Sequence, residues 1–231
     1  MTPDVLQALN EARAQQRPAV LVRRLADNQQ TLLVDGERVL GPLLPSSVDT
    51  VVQGAVRNDK GAKVDTAEGA WFVQVFNPPL RLVVVGAVHI AQALVPMARL
   101  AGYAVIVVDP RRAFAAAERF PEVDLRHDWP DEALDALAPD ARTAVVTLTH
   151  DPKLDDPALL RALRSPAFYV AALGSKRTHA ARIQRLLEAG LDHATIDRIH
   201  GPAGLNLGAV SPAEIAVSVL AQMTQVLRTP R

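Results

Sequence analysis

Two apolar runs flanking one helical pattern constrain this chain more than anything else in it. Val83-Val84-Val85-Gly86-Ala87-Val88-His89 is followed, about twenty residues later, by Val107-Val108-Asp109. A β-branched run of this kind reads as a buried parallel strand. Between the runs, Ile90, Leu94, Met97 and Ala101 lie on one helical stripe. A strand that ends in Gly turns tightly into a helix whose free N–H groups can hold a phosphate. An acidic residue ending the second strand can hydrogen-bond a ribose hydroxyl. The dinucleotide fingerprint is incomplete, because Val88 stands at its second glycine and Ala91 at its third. Ala is accepted at the third position, whereas a branched side chain at the second crowds a pyrophosphate. A dinucleotide in the standard pose and a tight, ligand-free βα turn are both open.

From Arg81 the chain goes on alternating strand and helix. Strands are expected at 82–85, 104–108, 123–126, 143–148 and 168–173, and helices at 89–101, 111–118, 130–138, within 154–164, and at 176–189. That alternation predicts an α/β domain over residues 80–231, a Rossmann-like parallel sheet with helices on both faces. Residues 1–77 read differently, as a small α+β domain. A helix at 3–15 has Val5, Leu6, Leu9 and Ala12 at helical spacing. Strands follow at 19–25, 31–34 and 38–40, with the Asp35-Gly36 hairpin signal between the last two. A helix at 46–57, capped by Ser46 or Ser47, and a strand pair at 62–66 and 70–76 complete this part. Trp71–Phe76 reads as a core strand, and Asn77-Pro78-Pro79 as the linker.

Composition removes several functions. The 231 residues carry 25 basic and 25 acidic side chains, so no global field draws the chain to nucleic acid. With 49% hydrophobic residues it can bury a core. It has no cysteine, which excludes disulfides, thiolate metal sites, a thiol nucleophile and a persulfide carried on this chain. No apolar run nears the roughly 18 residues that span a bilayer. Met1–Arg17 lacks the layout of a secretory signal, so no membrane role and a cytoplasmic location are expected.

Four further segments carry candidate chemistry. Arg111, beside Asp109, could accept a phosphate, while Arg112 reads as solvated. Thr149-His150-Asp151-Pro152 follows a strand and so reaches the carboxyl edge of the sheet, where open α/β sheets bind ligands. Asp151 reads best as a helix cap. His150 is equally readable as an acid, base or phosphate partner and as part of that cap. In Leu173-Gly174-Ser175-Lys176-Arg177-Thr178-His179 a strand again ends in Gly, and two cations stand at a Ser-led helix start, an anion site or simply a well-capped helix. Arg182 and Arg185, farther along, read as surface charges. Gly201-Pro202-Ala203-Gly204-Leu205-Asn206-Leu207-Gly208 is a loop expected to close the crevice. Ser211-Pro212-Ala213-Glu214 then forms a capping box. His127, His193 and His200 show no metal-ligand spacing, and no catalytic triad or paired carboxylate stands out.

Taken in order, Gly86–His89, Val107–Arg111, Thr149–Asp151, Ala172–Arg177 and Gly201–Leu205, closed by Ser211–Ser218, resemble the XdhC/CoxI family over roughly residues 80–228. The resemblance implies an accessory protein for molybdenum hydroxylases such as xanthine and carbon monoxide dehydrogenase. Such a protein would bind the molybdenum cofactor (molybdopterin or its dinucleotide), help its sulfuration, and hand it to the apo-enzyme. On this reading Gly86, Val88, His89, Asp109, Arg111, Thr149, His150, Asp151, Gly174, Ser175, Lys176, Arg177, Gly201 and Gly204 line the cofactor crevice, with no metal ligands among them. The N-terminal part departs from the family. Leu25-Ala26-Asp27-Asn28-Gln29 stands near a G-S-S-P-R-like loop, and Gly41-Pro42-Leu43-Leu44 near a G-G-C-x-E motif. The family's cysteine is absent, so the chain is a divergent member or a separate polypeptide supplies that motif. Sulfur would come from a partner's cysteine, such as that of a cysteine desulfurase. A homodimer stays open. The competing readings are an NAD(P)-dependent oxidoreductase, using Gly86 and Asp109, and a scaffold with an empty crevice.

Overall fold

The computed structural model describes residues 1–229. The chain divides into two compact units, Met1–Pro78 and Pro79–Arg231.

The first unit runs α1 (Pro3–Ala14), β1 (Ala19–Arg24), β2 (Gln30–Val34), β3 (Glu37–Leu40), α2 (Ser46–Asn58), β4 (Ala62–Thr66) and β5 (Gly69–Phe76). Its five strands form an antiparallel sheet in the order β3-β2-β1-β5-β4. Asp35 and Gly36, at φ 53° and 84°, close the β2–β3 hairpin, since two left-handed residues match the strands' twist. Period-2 alternation lets the sheet bury two faces. On one, Val48, Val52 and Ala55 of α2 meet Val20, Val22, Trp71 and Val73; on the other, Leu9 and Ala12 of α1 meet Ala19, Leu32 and Val34. The buried stripe of α1 is Val5-Leu9-Ala12, and Leu6 is 48% exposed beside it. One expectation fails here. Neither Ser46 nor Ser47 caps α2, because Pro45 occupies the N-cap position and offers no side-chain acceptor.

The second unit runs β6 (Leu80–Val85), α3 (His89–Leu100), β7 (Tyr103–Val108), β8 (Asp124–Arg126), α4 (Pro130–Leu137), β9 (Thr143–Thr147), α5 (Pro152–Arg164), β10 (Tyr169–Ala172), α6 (Lys176–Glu188), α7 (His193–Ile196), β11 (Ile199–His200) and α8 (Pro212–Arg228). All six strands are parallel, in the order β11-β10-β9-β6-β7-β8. This is the doubly wound order of a Rossmann sheet, which reverses between β6 and β9. Leu82 and Val84 face α3 and α8, while Val83 and Val85 face the layer of α4, α5 and α6. Both faces are covered, which explains why these strands read as unbroken apolar runs. The expected helix at 111–118 is absent. A single turn, with the Phe114 and Ala115 amides donating to the Arg111 carbonyl, is not propagated, and buried Ala115 and Phe120 pin an irregular segment instead. Eight residues are too few to hold a helix without a packed stripe.

Candidate functional site

The parallel sheet gathers the ends of five strands along one edge. Gly86 follows β6, Asp109 follows β7, Thr149 lies two residues beyond β9, Gly174 two beyond β10, and Gly201 follows β11. The reversal of winding between β6 and β9 opens a crevice there. A Cβ added at Gly86 (φ 109°) would lie 2.6 Å from Thr149 Cγ2, so these two turns touch at the switch point. Val88 is half-buried against the core and His89 is exposed on the first residue of α3.

Asp109 is wholly buried. Its Oδ2 accepts the Ala87 amide (2.9 Å) and Arg111 Nη2 (2.8 Å), and its Oδ1 accepts Arg111 N (3.0 Å) and Nε (2.8 Å). Burial resists ionisation, but Arg111 and the two amides outweigh it and hold the carboxyl below its ordinary value. Both Asp109 oxygens are thus engaged, with the Gly86–Ala87 turn and with Arg111. Arg111 is the partner of Asp109, its guanidinium 4.4 Å from the centroid of the Phe114 ring and its side chain 36% exposed.

The Thr149–Asp151 turn is tied differently. Thr149 Oγ1 donates to Asp155 Oδ1 at 2.6 Å and accepts the Asp151 amide at 3.0 Å, while Asp151 caps α5 by accepting Lys153 N. His150 sits between them, exposed, in the left-handed region at φ 62°. Behind the turn lies Arg182, read from sequence as a surface charge but only 1% exposed. Its Nη2 donates to the Leu173 carbonyl (3.0 Å) and lies 3.7 Å from Asp155 Oδ2, too long for a hydrogen bond. Burial pushes the Asp155 carboxyl above its ordinary value, despite Thr149 and Arg182. Burial likewise lowers Arg182, against the pull of Asp155 and Asp156. Arg182 reads in the sequence as a surface charge and Asp155 carries no site reading there, although a signal exists for both. Asp155, Leu159 and Ala162 share one stripe of α5, and Arg182 and Leu186 one stripe of α6.

At the second Gly-led turn, Gly174 takes φ 146° and Ser175 caps α6 by accepting Thr178 N. Lys176 and Arg177 are exposed at the helix start. By contrast, α3 begins with no side-chain cap, which leaves its first-turn N–H groups open. Gly201 packs on the His179 ring, where a Cβ would come 2.2 Å from Nδ1. Burial and the charge of Arg182 lower the His179 pKa. The loop beyond is anchored: the amides of Ala203, Gly204 and Leu205 donate to the Ala172 carbonyl, Gln222 Oε1 and the Ser218 carbonyl. Ala203–Leu205 is thus held against β10 and α8. Glu214 completes the capping box with Ser211. Among the described residues no group of three His, Cys, Asp or Glu could hold a metal, and no helix is long and apolar enough to cross a membrane.

Several known proteins are similar to this chain in sequence or in fold. The molybdenum cofactor insertion chaperone PaoD of Escherichia coli (strain K12) is 32% identical over 151 residues, covering 65% of this chain and 41% of its own. A protein of Bacillus subtilis (strain 168) named as a probable xanthine dehydrogenase subunit is 34% identical over 158 residues, covering 67% and 45%. The chain thus spans less than half the length of these relatives. A crystal structure described as a xanthine dehydrogenase from Bacillus halodurans shares the fold, with a TM-score of 0.73, 23% identity, and coverage of 99% of this chain and 65% of that one. The model of the XdhC Rossmann domain matches residues 82–223, more than half of the sequence. With its doubly wound sheet and Gly-led turns, the chain belongs to the XdhC family.

Proposed function

We propose that this chain is an accessory protein for a molybdenum hydroxylase of the xanthine or carbon monoxide dehydrogenase type. It binds the molybdenum cofactor, as molybdopterin or its dinucleotide, and assists its sulfuration or its insertion into the apo-enzyme. Two named relatives, an insertion chaperone and a xanthine dehydrogenase component, support that role. The observation that carries the reading is the pairing of two helix starts at one sheet edge. One, at Val88-His89, has no side-chain cap, and the other, at Gly174-Ser175, carries exposed Lys176 and Arg177. A phosphate-bearing pterin, the cargo here, fits such donors. Gly86, Thr149, His150, Asp151, Gly201 and Gly204 frame the crevice, while Asp109 and Arg111 brace it from within.

With no cysteine in the sequence, sulfur transfer needs a cysteine from outside the chain. A cysteine desulfurase, or a separate chain carrying the missing motif, fills that place in the cytoplasm. An NAD(P)-dependent oxidoreductase fits less well, because it would need Asp109 oxygens that already accept four donors.

Calorimetric titration of the intact chain with molybdopterin cofactor, NAD(H) and NADP(H) tests this. The pterin cofactor should bind, and Lys176→Ala with Arg177→Ala should weaken it by about tenfold or more, the worth of one charge-assisted hydrogen bond. Tight binding of a nicotinamide dinucleotide with turnover of a carbonyl substrate would overturn the accessory role.

A further inference from the structure

Arg182 combines a buried charge with unused hydrogen-bonding capacity. It is 1% exposed, yet its Nε and Nη1 have no partner, and Asp155 Oδ2 has none either. Its one hydrogen bond runs to the carbonyl of Leu173, the residue immediately before Gly174. The side chain therefore points back along α6 toward its N-terminus, as helical side chains do. A guanidinium that deep is ordinarily saturated, because each unmet donor is costly away from water. Even the less buried Arg111 of this unit spends Nε and Nη2 on Asp109, at 2.8 Å. Asp155 instead gives Oδ1 to Thr149 and meets Arg182 only through Oδ2, at 3.7 Å.

We infer that Asp155 is a stand-in counter-ion, and that Arg182 is the internal ligand of an oxyanion of the phosphate class bound at the head of α6. The anion exchanges with Asp155 as the partner of Arg182. Its donors would be Arg182 Nε and Nη1, backed by the helix start at Gly174-Ser175 and by Lys176 and Arg177 at the mouth. Asp155 keeps its bonds to Thr149, so the His150 turn holds its shape during the exchange. This rests on the reading of the site as a phosphate-bearing cofactor crevice and adds the residue that would recognise the phosphate.

The test titrates pyrophosphate, and separately the pterin cofactor, into the intact chain by calorimetry. Asp155→Asn should tighten pyrophosphate binding several-fold, because a competing negative charge is gone. Arg182→Met should weaken it at least tenfold. Because Arg182→Met strands a buried carboxylate, the double variant D155N/R182M, which removes both charges, is measured beside it. It should fold, by circular dichroism, and bind as weakly as Arg182→Met. Pyrophosphate affinity unchanged in the double variant, or weakened by Asp155→Asn, overturns the exchange even where the cofactor binds. Pyrophosphate binding that depends on Arg182 in a chain that takes no pterin keeps this inference and sinks the functional reading.

Discussion

Two buried aspartates support turns two strands apart on the same sheet edge, each with an arginine, and they behave oppositely. Asp109 collects four donors and its carboxyl is held below its ordinary value, whereas Asp155 has one strong donor and a cation beyond hydrogen-bond reach, and burial pushes its carboxyl up. Burial alone therefore does not decide which way a carboxyl shifts; the number of well-placed donors does. The first aspartate makes a rigid corner. The second leaves capacity in reserve, and reserve of that kind belongs at a binding site.

The contrast can be broken by substitution. Asp109→Ala should cost about 3 kcal/mol in urea unfolding, the low end for breaking a buried pair because Arg111 reaches solvent. Gly86→Ala should cost about 2 kcal/mol, from a strained φ and the approach of Thr149. That contact joins the turn held by Asp109 to the turn held by Asp155. Combining Gly86→Ala with Thr149→Ser should recover about 1 kcal/mol, and full additivity in the cycle would mean the turns do not couple. Asp155→Asn should cost only about 1–2 kcal/mol, since Asn still accepts from Thr149, and D155N/R182M should lie nearer the wild type.

Acid titration sharpens the same comparison with smaller effects. A depressed carboxyl binds fewer protons folded than unfolded, so the Asp109 contribution is present above about pH 3.9 and is lost as pH falls through its folded pKa. A raised carboxyl does the reverse: Asp155 subtracts stability as pH rises from about 3.9 through its folded pKa. Asp109→Asn should flatten the acid limb of stability, and Asp155→Asn should flatten the decline above it. Equal slopes in both variants would show that the two sites are electrostatically alike.

Much of the fold was legible because it is local. Val83–Val85, the Asp35-Gly36 turn and the Ser211–Glu214 box announce themselves within a few residues. The order of strands comes from pairing between distant segments such as Val84 and Val146, which no local pattern encodes. The segments of the candidate site were readable as strand ends, since the carboxyl edge follows from parallel winding. Their inner supports were not. Arg182 shares an apolar stripe with Leu186, but a charged side chain reads as surface until a buried partner is seen. The Asp109–Arg111 pair was hidden differently: the fingerprint supplied a ribose for the carboxylate, and the cation two residues on supplied a closer partner.

The three successive amides from Ala203 to Leu205 bear on time as well as place. They donate to β10, to a side chain of α8 and to the backbone of α8. Exposing any of them to solvent exchange requires α8 to lift or the edge of the sheet to part. A glycine-containing loop, whose composition suggests motion, should thus exchange its amide hydrogens on the slow timescale of the surrounding core. Gln222 Oε1, which also accepts the Tyr169 hydroxyl at 2.6 Å, makes the Gly204 amide a clock for the docking of α8.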